Sequence, residues 1–455
     1  MTRCIIQGHI IAEERLLKNY FLLIEDGIIH SIVRRDPGGH GERIDARRMF
    51  VLPGFRDQHI HDVFSQLSAL EKTEEEMKRR FRFTCQALAR GGTTGVYLAT
   101  FGGPLEQIEA YCRGAKCWMD DPENGRCGAK LLGIHIEGTF INDECRGAQP
   151  AEYCLIPTRD DCLAALNHIH ATGAARIANI VPDYGEASLA MMRHARRLGL
   201  LVGAGHTKAD ADQLRGAFER HGLQFMVHFT NGPIGQSFKP FGGGGTFEGA
   251  LGLPIVKELI PDRLHVDERY LMDILKRMEE RWGLDKIVAV TDASFPIAEE
   301  IPEGEFRIGS TIACADRENL CLRTMAFLQP DGTRTPAPPH TLCGSLLTMD
   351  RAFAHLLTLF TKDIRGHWFD HRAMPLDEAI IKAAKICSTH QAILDGSINE
   401  TGSLAIGKKA DIVIGSLENR DGELSFHVFK TLIDGYNLFD KNSFETDGSP
   451  ADSRI

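Results

Sequence analysis

The chain has no apolar run near the ~18 residues that a membrane-spanning helix needs. Its opening stretch, "MTRCIIQGHIIAEERLL", carries charge inside the first apolar segment. That pattern is not a secretory leader, and the expectation is a cytoplasmic protein without a membrane partner. Basic residues are not in excess: 52 Lys and Arg stand against 62 Asp and Glu, a net charge of −10. Such a balance argues against nucleic acid as the main partner. No CxxC occurs among the 12 cysteines, and in a long chain without a secretory signal they are expected as reduced thiols. The tightest group, Cys112, Cys117 and Cys127, lacks the spacing of a zinc site. No internal repeat stands out beyond a strand and helix alternation, and the low-complexity content is the glycine run 242–245.

What is present is an ordinary globular composition, 43% hydrophobic and 25% charged over 455 residues. That length exceeds one ordinary core and suits a large barrel with a small appended domain. From residue 48 to 293, short apolar runs alternate with stretches of helical periodicity. The runs are "MFVLPGFRDQHIH", "GTTGVYLAT", "KLLGIHIEG", "ARIANIVPD", "LLVGAGHT", "QFMVHFT", "LPIVKELIPDRLHVD" and "KIVAVTDAS". Segments such as "TEEEMKRRFRFTCQALAR" and "ADADQLRGAFERHG" place apolar residues three and four apart, and several end at Gly. Eight such units predict an α/β fold, a (β/α)₈ TIM-like barrel over residues 51–399. Helices in "GSLLTMDRAFAHLLTLF" and "PLDEAIIKAAKICSTHQAILD" are expected to complete its outer layer. Residues 1–50 and 400–445 instead alternate apolar and polar positions around Asp-Gly turns, so the two ends are expected to meet in one small β domain. Residues 446–455 read as a disordered tail.

Barrel active sites lie at the C-terminal ends of the strands. Read that way, the strand ends are His59 and His61, Thr100, Glu137, Asp183, His206, His228, His265 and Asp292. In "GFRDQHIHD" the two histidines are separated by one residue, so on a strand they point to the same face. One HxH is a weak signal. Four histidines with Glu137 and Asp292 on one rim are much stronger, and nitrogen with carboxylate ligands suits a divalent metal: zinc, or iron or manganese. His135, two residues before Glu137, reads as a structural partner to the ligands. Asp292 also has an ordinary reading, as a helix N-cap before "ASFPIAEE".

The series "LPGFRDQHIHD", "LGIHIEGTFIN", "GHTKAD", "VHFTNGP", "LHVD", "VTDA", "GSLLTM" and "GSLAIGKKADIVI" resembles the amidohydrolase superfamily, in its N-acetylglucosamine-6-phosphate deacetylase branch. The resemblance spans nearly the whole chain. It implies metal-dependent hydrolysis of the N-acyl amide of an amino sugar, with Glu137, His206 and His228 as metal ligands and Asp292 as the catalytic carboxylate. It further implies that an HxH pair admits a second ion, with His59 and His61 on one, His206 and His228 on the other and Glu137 between them. One or two ions, and a homodimer, are the corresponding expectations.

Two positions depart from the pattern. Where the family has a histidine that holds the acyl carbonyl, this chain has Gln149. A phosphate-binding arginine is replaced by Lys239, which keeps the charge but lacks the bidentate fork. The resemblance also assigns substrate contacts to Asn231, Gly232 and His265, and Arg146 is a further candidate anion contact. These departures leave open another N-acyl substrate, such as an N-acyl amino acid. A noncatalytic scaffold on the same fold is the reading from a different class.

Overall fold

The structure, a computed structural model, describes residues 2–157, 160–232 and 244–441. Four strands come first: β1 (Arg3–Ala12), β2 (Arg15–Glu25), β3 (Ile28–Val33) and β4 (Glu42–Pro53). The barrel follows as β5 (Phe55–His61), β6 (Thr93–Ala99), β7 (Lys130–Phe140), β8 (Ala175–Ile180), β9 (Leu201–Ala204), β10 (Phe225–Met226), β11 (Val256–Leu259) and β12 (Ile287–Ala289). These eight pair in sequence order, all parallel. Beyond the end of β12, Asp292 N–H donates to His59 C=O at 2.8 Å and His61 N–H donates to Ala293 C=O at 2.7 Å, which nearly closes the ring. Every residue of β5 and β6 is buried, as expected for parallel strands covered on both faces.

Helices between the strands follow the predicted periodicity. Glu74–Arg90 starts at Thr73 in a reciprocal cap with Glu76 and buries Met77, Phe81, Thr84, Cys85 and Leu88 along one stripe. Full burial of a side chain such as Phe81 contributes roughly 1.5–3 kcal/mol. Ala211–His221 starts at Asp210, capped reciprocally with Gln213, and stops at Gly222 with φ 82°. Met349–Phe360 and Leu376–Ala384 lie where the outer layer was expected, and the second continues through a π turn at Lys385–Thr389 into His390–Leu394.

Two features depart from the sequence reading. The seventh strand stops at Leu259, so His265 lies in the loop beyond it rather than at a strand end. Pro261 follows the strand closely and cannot extend its hydrogen bonding. The second feature was not anticipated: β13 (Glu305–Ile308), β14 (Thr311–Asp316), β15 (Cys321–Leu328), β16 (Arg334–Pro336) and β17 (Leu342–Ser345) form a separate five-stranded sheet. Its Ile308, Ala313, Leu322 and Cys343 share an apolar cluster with Val63, Phe101, Ala148 and Phe295 from the barrel's upper loops. The insertion is therefore packed over the mouth.

A short ribbon, β18 (Ile364–Arg365) with β19 (Asp370–His371), precedes the last strands, β20 (Ile412–Arg420), β21 (Glu423–Ile433) and β22 (Tyr436–Asp440). The final three join the first four in one sheet of order β22-β21-β20-β4-β1-β2-β3. Strand β20 pairs antiparallel with β4 from Ile412↔Pro53 to Gly415↔Phe50, so the two chain ends are in register beside the barrel entry strand. The tail 446–455 lies outside the described residues.

Candidate metal centre

The end of β5 is fixed before it reaches the site. Buried Asp57 accepts from Thr291 Oγ1 at 2.5 Å, from Thr291 N–H at 3.3 Å and from His59 N–H at 3.2 Å, joining β5 to the segment after β12. Burial pushes its carboxyl up to about 7, against those hydrogen bonds. The alternation of the strand then sends His59 and His61 to one face; they are 0% and 3% exposed. His206, His228 and Asp292 follow the ends of β9, β10 and β12 with φ of 55°, 28° and 48°. Non-glycine residues at positive φ cost on the order of 1–3 kcal/mol and concentrate where function requires the geometry.

Each histidine of the cluster has its Nδ1 committed. His61 Nδ1 lies 3.1 Å from Ala99 C=O, His206 Nδ1 2.8 Å from Cys145 C=O, and His228 Nδ1 2.8 Å from Asn231 C=O. His59 Nδ1 faces Glu258 Oε2 at 3.2 Å. A carbonyl or carboxylate can only accept, so every Nδ1 carries the hydrogen and every Nε2 offers a lone pair unless the ring is an imidazolium. The Nε2 atoms all turn to one place. His206 Nε2 is 3.1 Å from His228 Nε2, and Glu137 Oε1 is 2.7 and 3.2 Å from the two. Asp292 Oδ1 lies 3.3 Å from His61 Nε2 and 3.6 Å from His59 Nε2. His59 Nε2 is buried without a hydrogen-bond partner among the described residues.

Facing lone pairs around two buried carboxylates require positive charge at their centre, supplied by protons or by a cation. Burial alone would raise the Glu137 carboxyl, but His206 and His228 hold it well below its usual range. Asp292 is likewise held low by His61, His59 and His228 against its burial. Burial opposes protonation of His59, yet Glu258, Asp292 and Glu137 lift it to about 9. Within this set, His59, His61 and Asp292 form one triad with ligand distances, and His59, Glu137 and His228 form another. Nitrogen and carboxylate donors with fixed outer partners fit a divalent transition metal.

The site opens into a pocket lined by Gln149, Asn231, Gly232 and His265 as well as the cluster. Gln149 is tied to the centre itself: its Nε2 donates to Glu137 Oε2 at 2.5 Å and its Oε1 accepts from Gly102 N–H at 2.7 Å. Asn231 Nδ2 is buried without a partner among the described residues. Gly232 has φ 87°, and a Cβ there would come within 3.0 Å of His206 Nδ1. His265 is held by Asp262, Nδ1 to Oδ2 at 2.6 Å, leaving Nε2 toward the pocket. Arg146 donates to Gln149 C=O at 2.7 Å and lies over the Phe327 ring, so it braces the loop. Lys239 lies outside the described residues.

Several sequence readings resolve differently. No helix begins at Asp292; its backbone is instead bridged to Ser345 on β17. Asp183 turns to Asn142, Thr207 and the Lys208 N–H and supports a loop beside the pocket. His135 is fully buried, its Nδ1 3.2 Å from Gln58 C=O and its ring edge-on to His59. Burial first, then His59, pulls it down to about 3. Sequence reasoning missed Glu258 and the insertion residues His340 to Gly344, which line the pocket from above. A signal for Glu258 was present: "VKEL" puts two charges in a four-residue strand that is buried throughout. Buried charges are rare without partners.

Fold and cluster together define a class: a (β/α)₈ barrel with a histidine and carboxylate centre at the strand ends. The chain is similar to N-acetylglucosamine-6-phosphate deacetylases. It is 28% identical over 411 residues to the Bacillus subtilis protein of that name, covering 90% of this chain and 91% of that one. It is 26% identical over 420 residues to an N-acetylgalactosamine-6-phosphate deacetylase of Escherichia coli O157:H7, covering 91% and 95%. The crystal structure of the Mycobacterium smegmatis N-acetyl-D-glucosamine-6-phosphate deacetylase superposes with a TM-score of 0.72 at 20% identity, covering 96% of this chain and all of that one. No protein-family model matches the chain.

Proposed function

We propose that the chain is a metal-dependent deacylase that hydrolyses the N-acetyl amide of an amino sugar related to N-acetylglucosamine 6-phosphate. The observation that carries this reading is the convergence of four Nε2 lone pairs with Glu137 and Asp292 at the floor of an open pocket. His206, His228 and Glu137 would hold one divalent ion, and His59 and His61 would hold a second; zinc suits the donors best, with iron or manganese as alternatives. Such an ion supplies Lewis acidity, polarising the amide carbonyl and letting water ionise near neutral pH.

The chain's own groups do the rest. Asp292, whose Oδ1 lies among the ligand Nε2 atoms, takes a proton from the attacking water. It then passes that proton to the departing nitrogen as the C–N bond breaks. Acetate and the free amine leave. Gln149 keeps one amide hydrogen beyond its bond to Glu137, which can reach the acyl oxygen as charge develops there. Asn231 Nδ2 and His265 Nε2 face the sugar.

Gln149 and the lining also favour a second reading: among the described lining residues none is Lys or Arg, so an N-acyl compound without phosphate remains a substrate class to test. The experiment is acetate release from N-acetylglucosamine 6-phosphate, its galacto epimer and their unphosphorylated forms. Activity on a phosphorylated sugar that chelator abolishes and metal restores is expected; activity confined to N-acyl amino acids would overturn the sugar assignment. The reading includes residues 1–50 with 400–445 as one β domain beside a hydrolase barrel of 51–399, a homodimer, and action in the cytoplasm. The resemblance supports the dimer, which sedimentation tests, and the charged opening stretch supports the cytoplasm.

A further inference from the structure

Glu258 on β11 is wholly buried, does not line the pocket and is outside the reach of a substrate. Its two oxygens are nevertheless fully used. Oε2 accepts from His228 N–H at 2.9 Å and faces His59 Nδ1 at 3.2 Å, while Oε1 accepts from Gln58 Nε2 at 2.6 Å. One oxygen thus meets both a ligand from strand β5 and the backbone of a ligand after β10. His59 belongs to all three groups with ligand distances, His228 to one of them, and Glu258 to another, with His59 and the His135 that is bound to the Gln58 carbonyl away from the pocket. With its Nδ1 side taken by Glu258, His59 can offer the centre only Nε2, the atom that is buried and unpartnered.

We propose that Glu258 is the positioning residue of the metal centre: it fixes His59 as an Nε2 ligand and sets the spacing between His59 and His228. The inference rests on the metal reading above. It follows from the donor count. Replacing Glu258 with Ala leaves the His59 Nδ1–H, the His228 N–H and the Gln58 amide without their acceptor, and His59 is then free to rotate or change tautomer. Glu258→Gln keeps one carbonyl oxygen for His59 and His228, and reversal of the Gln58 amide accommodates its NH₂. Geometry is largely retained and the charge is lost.

The test titrates metal-stripped full-length protein with cobalt(II), following both affinity and the visible absorption bands, with thermal unfolding of the metal-free protein measured in parallel. Outer partners of metal ligands contribute on the order of 10–100-fold to affinity. E258A is expected to lose about that much for the ion that His59 holds, with shifted cobalt bands. E258Q is expected to recover most of it, remaining roughly 3–10-fold weaker than wild type with near-native bands. Wild-type affinity and spectrum in a folded E258A would overturn the proposal, as would a fall in metal-free stability with the cobalt spectrum unmoved. Should E258A not fold, E258Q decides by its spectrum: near-native cobalt bands with affinity within about tenfold of wild type are expected, and displaced bands or a loss beyond about 100-fold with the acceptor retained would overturn it. Failure of wild-type protein to take up cobalt is a different result, which removes the metal reading itself.

Discussion

The two ends of this barrel are built from the same strands and treat polar atoms in opposite ways. At the lower end they are mostly paired within the protein, Arg56 Nε being an exception among the described residues. Arg56 binds Asp395, which also accepts from Tyr97 OH at 2.9 Å; Ser388 Oγ donates to Gly54 C=O at 2.7 Å, and Gln391 Nε2 to Ala289 C=O at 2.6 Å. His390 is buried with its Nδ1 2.8 Å from Ile287 C=O. At the upper end, one nitrogen of each histidine is satisfied and the other is left aimed at a shared point. Pairing stabilises; systematic half-pairing around one point prepares a site for something not made of protein. Positive φ at His206, His228 and Asp292, three residues of one rim, marks the same division.

The contrast predicts that changes at the two ends separate activity from stability. The largest effect on turnover should come from removing a ligand: His206→Ala is expected to lose bound metal, seen by elemental analysis, and to reduce kcat beyond the roughly 10² expected from losing a general base. Asp292→Asn should retain metal and substrate binding while kcat falls by about 10² or more. Near-normal turnover would place the proton on another group. Gln149→His should act more mildly, raising kcat/KM on N-acetylglucosamine 6-phosphate by roughly an order of magnitude, a fraction of the ~3 kcal/mol that an entire oxyanion donor contributes.

At the lower end the expected effect on kcat is nil. Arg56→Met leaves Asp395 buried without its cation, which should cost about 3–5 kcal/mol of stability in denaturant titration while metal content stays unchanged. His390 adds a pH test. Burial lowers it from 6.5 to about 4. The unfolded chain therefore binds a proton that the folded chain refuses between those values, and stability present above pH 6.5 is lost as pH falls toward 4. His390→Gln keeps a donor for Ile287 C=O and should remove roughly 3 kcal/mol of that acid-side loss, with activity at neutral pH unaltered.

Much of the upper end was legible in the sequence because it is written in strand ends. The alternation of apolar runs and helical stretches located all eight barrel strands, and the last polar residue of five of them supplied His59, His61, Glu137, His206, His228 and Asp292. What stayed hidden has physical causes. Strand β11 ends early, so His265 reaches the pocket from a loop through Asp262, a contact that sequence spacing does not reveal. Glu258 is concealed because its partners, His59 and His228, are far from it in sequence and meet only when the ring closes. The β13 to β17 sheet carries the alternation and turns of any hairpin set, but nothing in that pattern says that it packs over the mouth. Gln149 was read as facing the acyl group, and the structure adds its bond to Glu137.

The most direct measurement is the metal content of full-length protein, prepared with a divalent transition metal supplied and then freed of loosely bound ions, beside a His59→Ala and His206→Ala double variant. One or two equivalents retained by wild type and lost by the variant, with the barrel still folded by circular dichroism, is the expected result. Wild-type protein that retains no ion, or a variant that retains as much as wild type, would contradict a metal centre at the mouth of this barrel.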